Sequence, residues 1–294
     1  QTKPIVAKVS YISETSATTT VKTINLLMDK YWFVFNNSQL LLEKTADGKY
    51  TIPLQAEAPI NAARPTGAIH NITTFKGVAV RTYNSAEVEL GDRYELCPLR
   101  ASYNKISTEL YMKAGKCAEI LYWDSNTQYC GKCGGKMELH TDISKICTKC
   151  GREVWPQLST AIIVLIHRGD DVLLVHANNF KGHYYGLVAG FVETGETLEE
   201  AVYREVMEET GLEIKNLRYF GSQPWPYPCS LMVGFNADYA GGEIHLQRSE
   251  LGDGGWFNKA ALPEIPEKLS IARRLIDNWL ENTESEKHPV CHTK

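Results

Sequence analysis

Residues 190–212 read GFVETGETLEEAVYREVMEETGL, and their local chemistry decides much of the fold. Thr194-Gly195 is a turn signal, and the spacing predicts a helix after it. Thr197 is placed to cap that helix, with Glu200 three residues on to complete a capping box. Gly211 is placed to end it, because glycine takes the left-handed conformation at no steric cost. Glu199 and Glu200 fall in the first turn, where the helix dipole favours negative charge. Leu198, Ala201, Val202 and Val206 supply the stripe that seats the helix on a sheet. At about 100° per residue, Glu205, Glu208 and Glu209 share one face within an arc of about 100°. Three close carboxylates repel one another. They form either a solvated acidic face or a site for a hard divalent cation, and oxygen ligands at this density suit Mg²⁺ or Mn²⁺. Arg204 stands beside them, placed to pair with Glu196 or another carboxylate of the loop.

Around this helix the texture is that of alternating strands and helices. Residues 161–166 and 171–176 are apolar strand candidates split by Arg168-Gly169-Asp170. Residues 217–219, 231–237 and 255–257 read as strands or strand ends. Residues 269–280 form an amphipathic pattern with Ile271, Leu275, Ile276 and Leu280 on its apolar side. Residues 222–230, SQPWPYPCS, alternate prolines with aromatics. This predicts a stiff extended segment without regular ladder bonding, serving either as a wall for a planar base or as a structural loop.

Residues 1–125 read as a separate α+β unit. Residues 31–35 (YWFVF) predict a strand ending at the turn Asn36-Asn37-Ser38, and residues 40–42 and 50–52 flank Asp47-Gly48 as a hairpin. Residues 62–67 are loop-like, 77–80 a strand and 106–123 a helix. Tyr31, Trp32 and Phe33 read as core rather than as a ligand box. No catalytic constellation stands out here.

Between the two lies a short segment with Cys130-Gly131-Lys132-Cys133 and Cys147-Thr148-Lys149-Cys150, separated by 13 residues. Two such knuckles bring four thiolates to a tetrahedron around Zn²⁺; paired redox dithiols are the alternative. Four cysteines fill the coordination sphere, so this zinc is structural and folds a piece too small for its own core. Lys132, Lys136, Lys145, Lys149 and Arg152 against Glu138, Asp142 and Glu153 leave the segment mildly basic, which keeps nucleic-acid contact open.

The whole chain of 294 residues, 43% hydrophobic and 22% charged, excludes disordered, collagenous and coiled-coil classes. Its net charge of −4 excludes a generic nucleic-acid or acidic-membrane binder, so an anionic substrate needs bound cations or placed Arg and Lys. The longest clean apolar run, residues 161–166, is far below the ~20 residues of a membrane helix. No secretory signal is recognisable, and a zinc site needs reduced thiolates; both predict a cytoplasmic location without a membrane partner.

Gly190, five residues, Glu196, seven residues and then Arg204-Glu205-Val206-Met207-Glu208-Glu209-Thr210-Gly211-Leu212 match the Nudix box at every defined position. The chain is identified by that box as a member of the Nudix superfamily. The resemblance implies an α/β fold, the Nudix α/β/α sandwich, over residues 157–285. It also implies metal-dependent hydrolysis of a nucleoside diphosphate linked to another moiety. Residues 222–230 resemble the SQPWPFP-x-S array of the superfamily's NADH pyrophosphatases, with Tyr227 where Phe is usual. That family's layout is an N-terminal α+β domain (1–125), a zinc ribbon (126–156) and the Nudix domain (157–285), here followed by a flexible tail (286–294).

Carried across residue by residue, the resemblance gives Glu205, Glu208, Glu209 and Glu250 as the catalytic carboxylates and Mg²⁺ or Mn²⁺ ligands. Cys130, Cys133, Cys147 and Cys150 would hold the zinc. Phe191 would stack on the nicotinamide or adenine ring, Gln223, Trp225 and Ser230 would line the nucleotide site, and Ala272 would meet the base through its backbone. Trp155, where the family often has Tyr, would either reach the partner's site in a homodimer or pack a domain junction. The implied reaction splits NAD(H) into nicotinamide mononucleotide and AMP, with removal of NAD caps from RNA as the same chemistry. An ADP-ribose or dinucleoside polyphosphate hydrolase is the alternative, and the intact glutamates speak against a non-catalytic nucleotide sensor.

Overall fold

Strand pairing in the first part of the chain begins at a two-residue turn. Asn37 and Ser38 both take positive φ (47° and 64°), so Phe35 pairs with Leu40 and Asn36 with Gln39. This is the turn geometry whose twist matches that of the flanking strands. The computed structural model describes residues 28–59, 67–88, 90–180 and 182–282. The expected loop at 62–66, the tail at 286–294 and Cys291 lie outside them. The chain divides into two compact units, Gln1–Trp155 and Pro156–Lys294.

In the first unit the elements are β1 (Lys30–Asn36), β2 (Gln39–Lys44), β3 (Tyr50–Thr51), β4 (Leu54–Gln55), β5 (His70–Phe75), β6 (Val78–Asn84), β7 (Tyr94–Pro98), α1 (Leu99–Ser102) and α2 (Thr108–Asn126). The sheet runs β3-β2-β1-β6-β5, with β4 paired to β1 and β7 to β2. Trp32 and Phe33 are buried in it as core, while Tyr31 is half-buried with its ring edge-on to Phe75. β8 (Met137–Thr141), β9 (Ser144–Cys147) and β10 (Glu153–Val154) then form a small antiparallel sheet of their own.

The second unit contains β11 (Ser159–Arg168), β12 (Asp171–Ala177), β13 (Val188–Phe191), α3 (Leu198–Thr210), β14 (Glu213–Trp225), β15 (Ser230–Gly241), β16 (Leu251–Asn258) and α4 (Ile271–Asn282). Its sheet runs β14-β15-β11-β12-β16, with β13 on β11; β11 and β15 are parallel and the other pairs antiparallel. Successive side chains of a strand point to opposite faces. On β11, Ile162, Val164 and Ile166 therefore pack with Ala201, Val202 and Val206 of α3. Ile163 and Leu165 pack with Ile271, Leu275, Ile276 and Trp279 of α4. A central strand buried on both faces needs the unbroken apolar run seen at 161–166. Each such aliphatic side chain contributes about 1.5–3 kcal/mol by burial. The result is the expected α/β/α sandwich.

One expectation fails. The proline–aromatic segment does carry regular pairing: Ser222, Gln223, Pro224 and Trp225 are the last residues of β14, opposite Val233, Met232, Leu231 and Ser230. β14 ends the sheet, and proline's missing N–H is tolerated on an edge strand. Pro226 and Pro228 fall in the connecting turn. The helix expected from Leu269 starts at Ile271, because Ser270 caps it, its Oγ accepting from Arg273 N at 3.3 Å.

Candidate active site and zinc centre

Both ends of α3 form as the sequence predicts. Thr197 Oγ1 accepts from Glu200 N (3.2 Å), and Glu200 Oε2 accepts from Thr197 N (2.7 Å). Gly211 closes the helix at φ 69°. The helix sets its carboxylates at three depths: Glu208 exposed, Glu205 half-buried and Glu209 only 4% exposed. Glu205 lies against β13 so closely that a Cβ at Gly190 would fall 2.0 Å from its carboxyl group, which is why the box opens on glycine.

Arg204 organises this face. It donates to Glu196 (Nε 2.9 Å, Nη2 2.6 Å), Glu205 (2.9 Å), Glu208 (3.1 Å) and the Phe191 carbonyl (3.0 Å). These five bonds match the five donors of a guanidinium. Arg204 and then the Glu193 N–H hold the Glu196 carboxyl at about 2. Glu209 goes the other way. Burial first, then the charges of Glu205, Glu250 and Glu208, push it up to about 8. Glu205 is also raised, by burial first and by Glu208 and Glu250, although Arg204 opposes the shift. Glu250, 41 residues beyond Glu209, is exposed in the turn before β16, and that turn is fastened to α3 by Gln247 N donating to Glu209 O at 2.9 Å. Among the described residues no three of these carboxylates bring ligand atoms within 4.8 Å of one another, and Arg204 occupies Glu205 and Glu208; as oxygen donors on one face of α3 they are nonetheless of the chemistry that a hard divalent cation takes.

The nucleotide-site candidates are gathered in part. Phe191 ends β13 with 59% of its surface exposed. Gln223 is buried, and its Nε2 donates to Leu269 O at 2.9 Å, which ties β14 to the start of α4. Its Oε1 is buried without a partner. Ser230 is buried at the start of β15, Ala272 is buried in the first turn of α4, and Trp225 packs edge-on to Tyr227. Trp155 is 52% exposed at the end of the first unit.

The four cysteines form a tighter cluster. Among the described residues, only Cys130, Cys133, Cys147 and Cys150 bring three or more ligand atoms within 4.8 Å of one another. Cys130 and Cys150 sulfurs are 3.7 Å apart, Cys133 and Cys147 3.5 Å. A tetrahedron of ~2.3 Å Zn–S bonds has edges of about 3.8 Å. The N–H groups of Cys150 and Lys149 pull the Cys147 thiol down to about 6. Cys133 rises to about 12 despite the Gly135 N–H, because neighbouring sulfurs, Cys150 foremost, crowd it. Four thiols cannot all ionise there without a cation.

Lys145 corrects the reading of the ribbon as a basic surface. It is 2% exposed; its Nζ donates to Asp124 O and Thr127 O (2.9 Å each) and pairs with the Asp124 carboxylate. His70 Nε2 stands 3.2 Å from the same carboxylate. Burial raises Asp124, but His70 and Lys145 together hold it at about 2. This buried cluster fastens β9 to the end of α2. The sequence signal was weak: one acid among the buried residues of a helix end.

Comparison with known proteins agrees with this geometry. The NUDIX domain matches residues 156–279, the NADH pyrophosphatase-like rudimentary NUDIX domain residues 29–123, and the NADH pyrophosphatase zinc ribbon domain residues 125–154. The NAD-capped RNA hydrolase NudC of Pseudomonas aeruginosa is 40% identical over 233 residues, 77% of this chain and 82% of that protein. Those of Pectobacterium atrosepticum and Haemophilus influenzae are 46% and 49% identical over 58% and 57% of this chain. The chain spans about 65% of the length of the Pectobacterium relative. By these matches the chain belongs to the NudC family of the Nudix superfamily, with a zinc ribbon ahead of its Nudix domain.

Proposed function

We propose that this chain hydrolyses the pyrophosphate of NAD(H) to nicotinamide mononucleotide and AMP, and that it removes NAD caps from RNA by the same chemistry. The observation that carries this reading is the Nudix box with every position filled, whose helix sets Glu209 buried, Glu205 half-buried and Glu208 exposed. These three carboxylates and Glu250 would hold Mg²⁺ or Mn²⁺. The cation, when bound, neutralises phosphate charge and makes water a better nucleophile. Water attacks one phosphorus, the P–O–P bond breaks, and one carboxylate among Glu208, Glu209 and Glu250 takes the water's proton. Arg204 keeps Glu205 and Glu208 oriented through its bonds to both. The exposed ring of Phe191 stacks on a base. Gln223 Oε1, an unsatisfied buried acceptor, takes an N–H of the nucleotide, and Trp225, Ser230 and the Ala272 backbone line the same site.

The four cysteines hold a structural zinc. A homodimer in which Trp155 meets the partner's substrate belongs to the same reading, as does a cytoplasmic location where thiols stay reduced. Among the described residues no helix is long and apolar enough to cross a membrane. The test is a Mn²⁺-dependent assay of NADH, NAD⁺, ADP-ribose and NAD-capped RNA side by side, with products identified by mass. Reduced nicotinamide mononucleotide and AMP from NADH, and a 5′-monophosphate RNA from the capped substrate, support the proposal. Turnover of ADP-ribose alone replaces it with the generic hydrolase.

A further inference from the structure

Glu250 is the member of the proposed cation-binding set that α3 does not carry. Its carboxylate is exposed, so its position depends on how its turn is held. Within the turn, Glu250 N and Leu251 N both donate to Gln247 O at 2.9 Å. Gln247 N donates to Glu209 O at 2.9 Å, which fastens one side of the turn to α3, and Gln247 Nε2 reaches Glu250 Oε1 at 3.3 Å.

The other side is held by Asn178, the residue after β12. Here the β12–β16 ladder slips: His176 pairs with Asp253 but Ala177 with Leu251, leaving Gly252 as an extra residue. Asn178 supplies donors where the ladder fails. Its backbone N donates to Glu250 O at 2.8 Å, and its Nδ2 donates to Arg248 O and Ser249 O at 3.1 Å each. One residue thus gathers three consecutive carbonyls. Carbonyls only accept, so the amide nitrogen faces them. The amide oxygen is packed against bare glycine, since a Cβ at Gly252 would lie 2.9 Å from Asn178 Oδ1.

We propose that Asn178 is a positioning residue for Glu250: by gathering the carbonyls of residues 248–250 it holds the turn that carries the Glu250 carboxylate, fastened on its other side to α3 through Gln247, and so sets the affinity for the divalent cation. This rests on the reading of Glu250 as a metal ligand given above. No bond forms or breaks at Asn178 itself, and it touches no substrate.

The test uses the full, zinc-loaded chain and Mn²⁺ alone, with free Mn²⁺ counted by electron paramagnetic resonance. The variants are N178A, N178D, E250A and N178A/E250A, each with its melting temperature recorded. N178A weakens Mn²⁺ binding by about three- to tenfold, the scale of one net neutral hydrogen bond. N178D keeps the size but turns an acceptor toward two carbonyls, so it weakens binding at least as much; it decides the matter if N178A melts early. Adding N178A to E250A changes nothing further, because no carboxylate remains to be placed. Wild-type affinity in both N178A and N178D overturns the proposal. So does a double variant weaker than E250A by the full N178A factor, which is what a merely structural role gives. If E250A binds Mn²⁺ like wild type, the proposal falls whatever NADH does. If the Mn²⁺ pattern holds while NADH is not turned over, the proposed activity falls and the positioning role stands.

Discussion

The zinc centre and the carboxylate helix solve the same electrostatic problem in opposite ways. Each gathers four like-charged ligands, but the sulfurs stand 3.5–3.7 Å apart in pairs, whereas the glutamates are spread over a helix and a turn with Arg204 between Glu205 and Glu208. The cysteines sit on tight knuckles whose backbone N–H groups already aim at sulfur, such as Lys132 N at 3.4 Å from Cys130 Sγ. A closed site of this kind folds its own segment and has no room for a reactant. The glutamates are instead held one by one: Glu205 and Glu208 by Arg204, Glu250 by Gln247, with Glu209 buried beneath them. The thiolates are preassembled as one cluster; the carboxylates are not.

The largest break of this contrast removes the zinc. Cys147→Ser should cost the ribbon most of its fold, since metal binding in such modules supplies about 10–16 kcal/mol. The expected outcome is less than one zinc per chain by atomic emission and new proteolytic cleavage between residues 126 and 156, with the Nudix unit still melting cooperatively. Glu209→Gln tests the other side. Turnover should fall about a thousandfold, or ~4 kcal/mol, at unchanged folding. A variant keeping more than a tenth of wild-type NADH hydrolysis would remove Glu209 from the assignment.

Smaller effects sharpen the comparison. Lys145→Ala leaves the Asp124 carboxylate buried with His70 and a long contact from Gln128 Nε2 (3.5 Å) as its remaining neighbours, and should destabilise the first unit by about 3 kcal/mol in urea melts. The same cluster predicts acid sensitivity. Asp124 is held at about 2 against an ordinary 3.8, so its contribution is complete above pH ~4 and is lost as pH falls toward 2. The expected loss is roughly 2 kcal/mol, read from denaturation midpoints between pH 5 and 2, and absent in Asp124→Asn. Thr197→Ala, which removes one cap of α3, should cost about 1 kcal/mol of thermal stability with the metal affinity little changed.

What the sequence made legible was local. The capping box of α3, the Gly211 stop, the knuckles and the doubly apolar strand at 161–166 are each written within a few neighbouring residues, and each formed as read. What it hid depends on partners far along the chain. Lys145 meets Asp124 across 21 residues, and Asn178 meets Arg248 across 70. No periodicity or turn chemistry records such meetings, so a lysine counted as surface charge proved buried. The proline–aromatic segment was misjudged for a related reason. Whether a proline breaks a ladder depends on which side of the strand is paired, and the edge position of β14 is a property of the whole sheet.

β11 contributes alternate residues to the two cores of the sandwich, Ile162, Val164 and Ile166 to one and Ile163 and Leu165 to the other. Neither helical layer can open without baring one side of a strand that the other still covers. Amide protons under α3 and under α4 should therefore exchange with deuterium through one shared opening event rather than two. A carboxylate helix coupled in this way shares the lifetime of the entire sandwich.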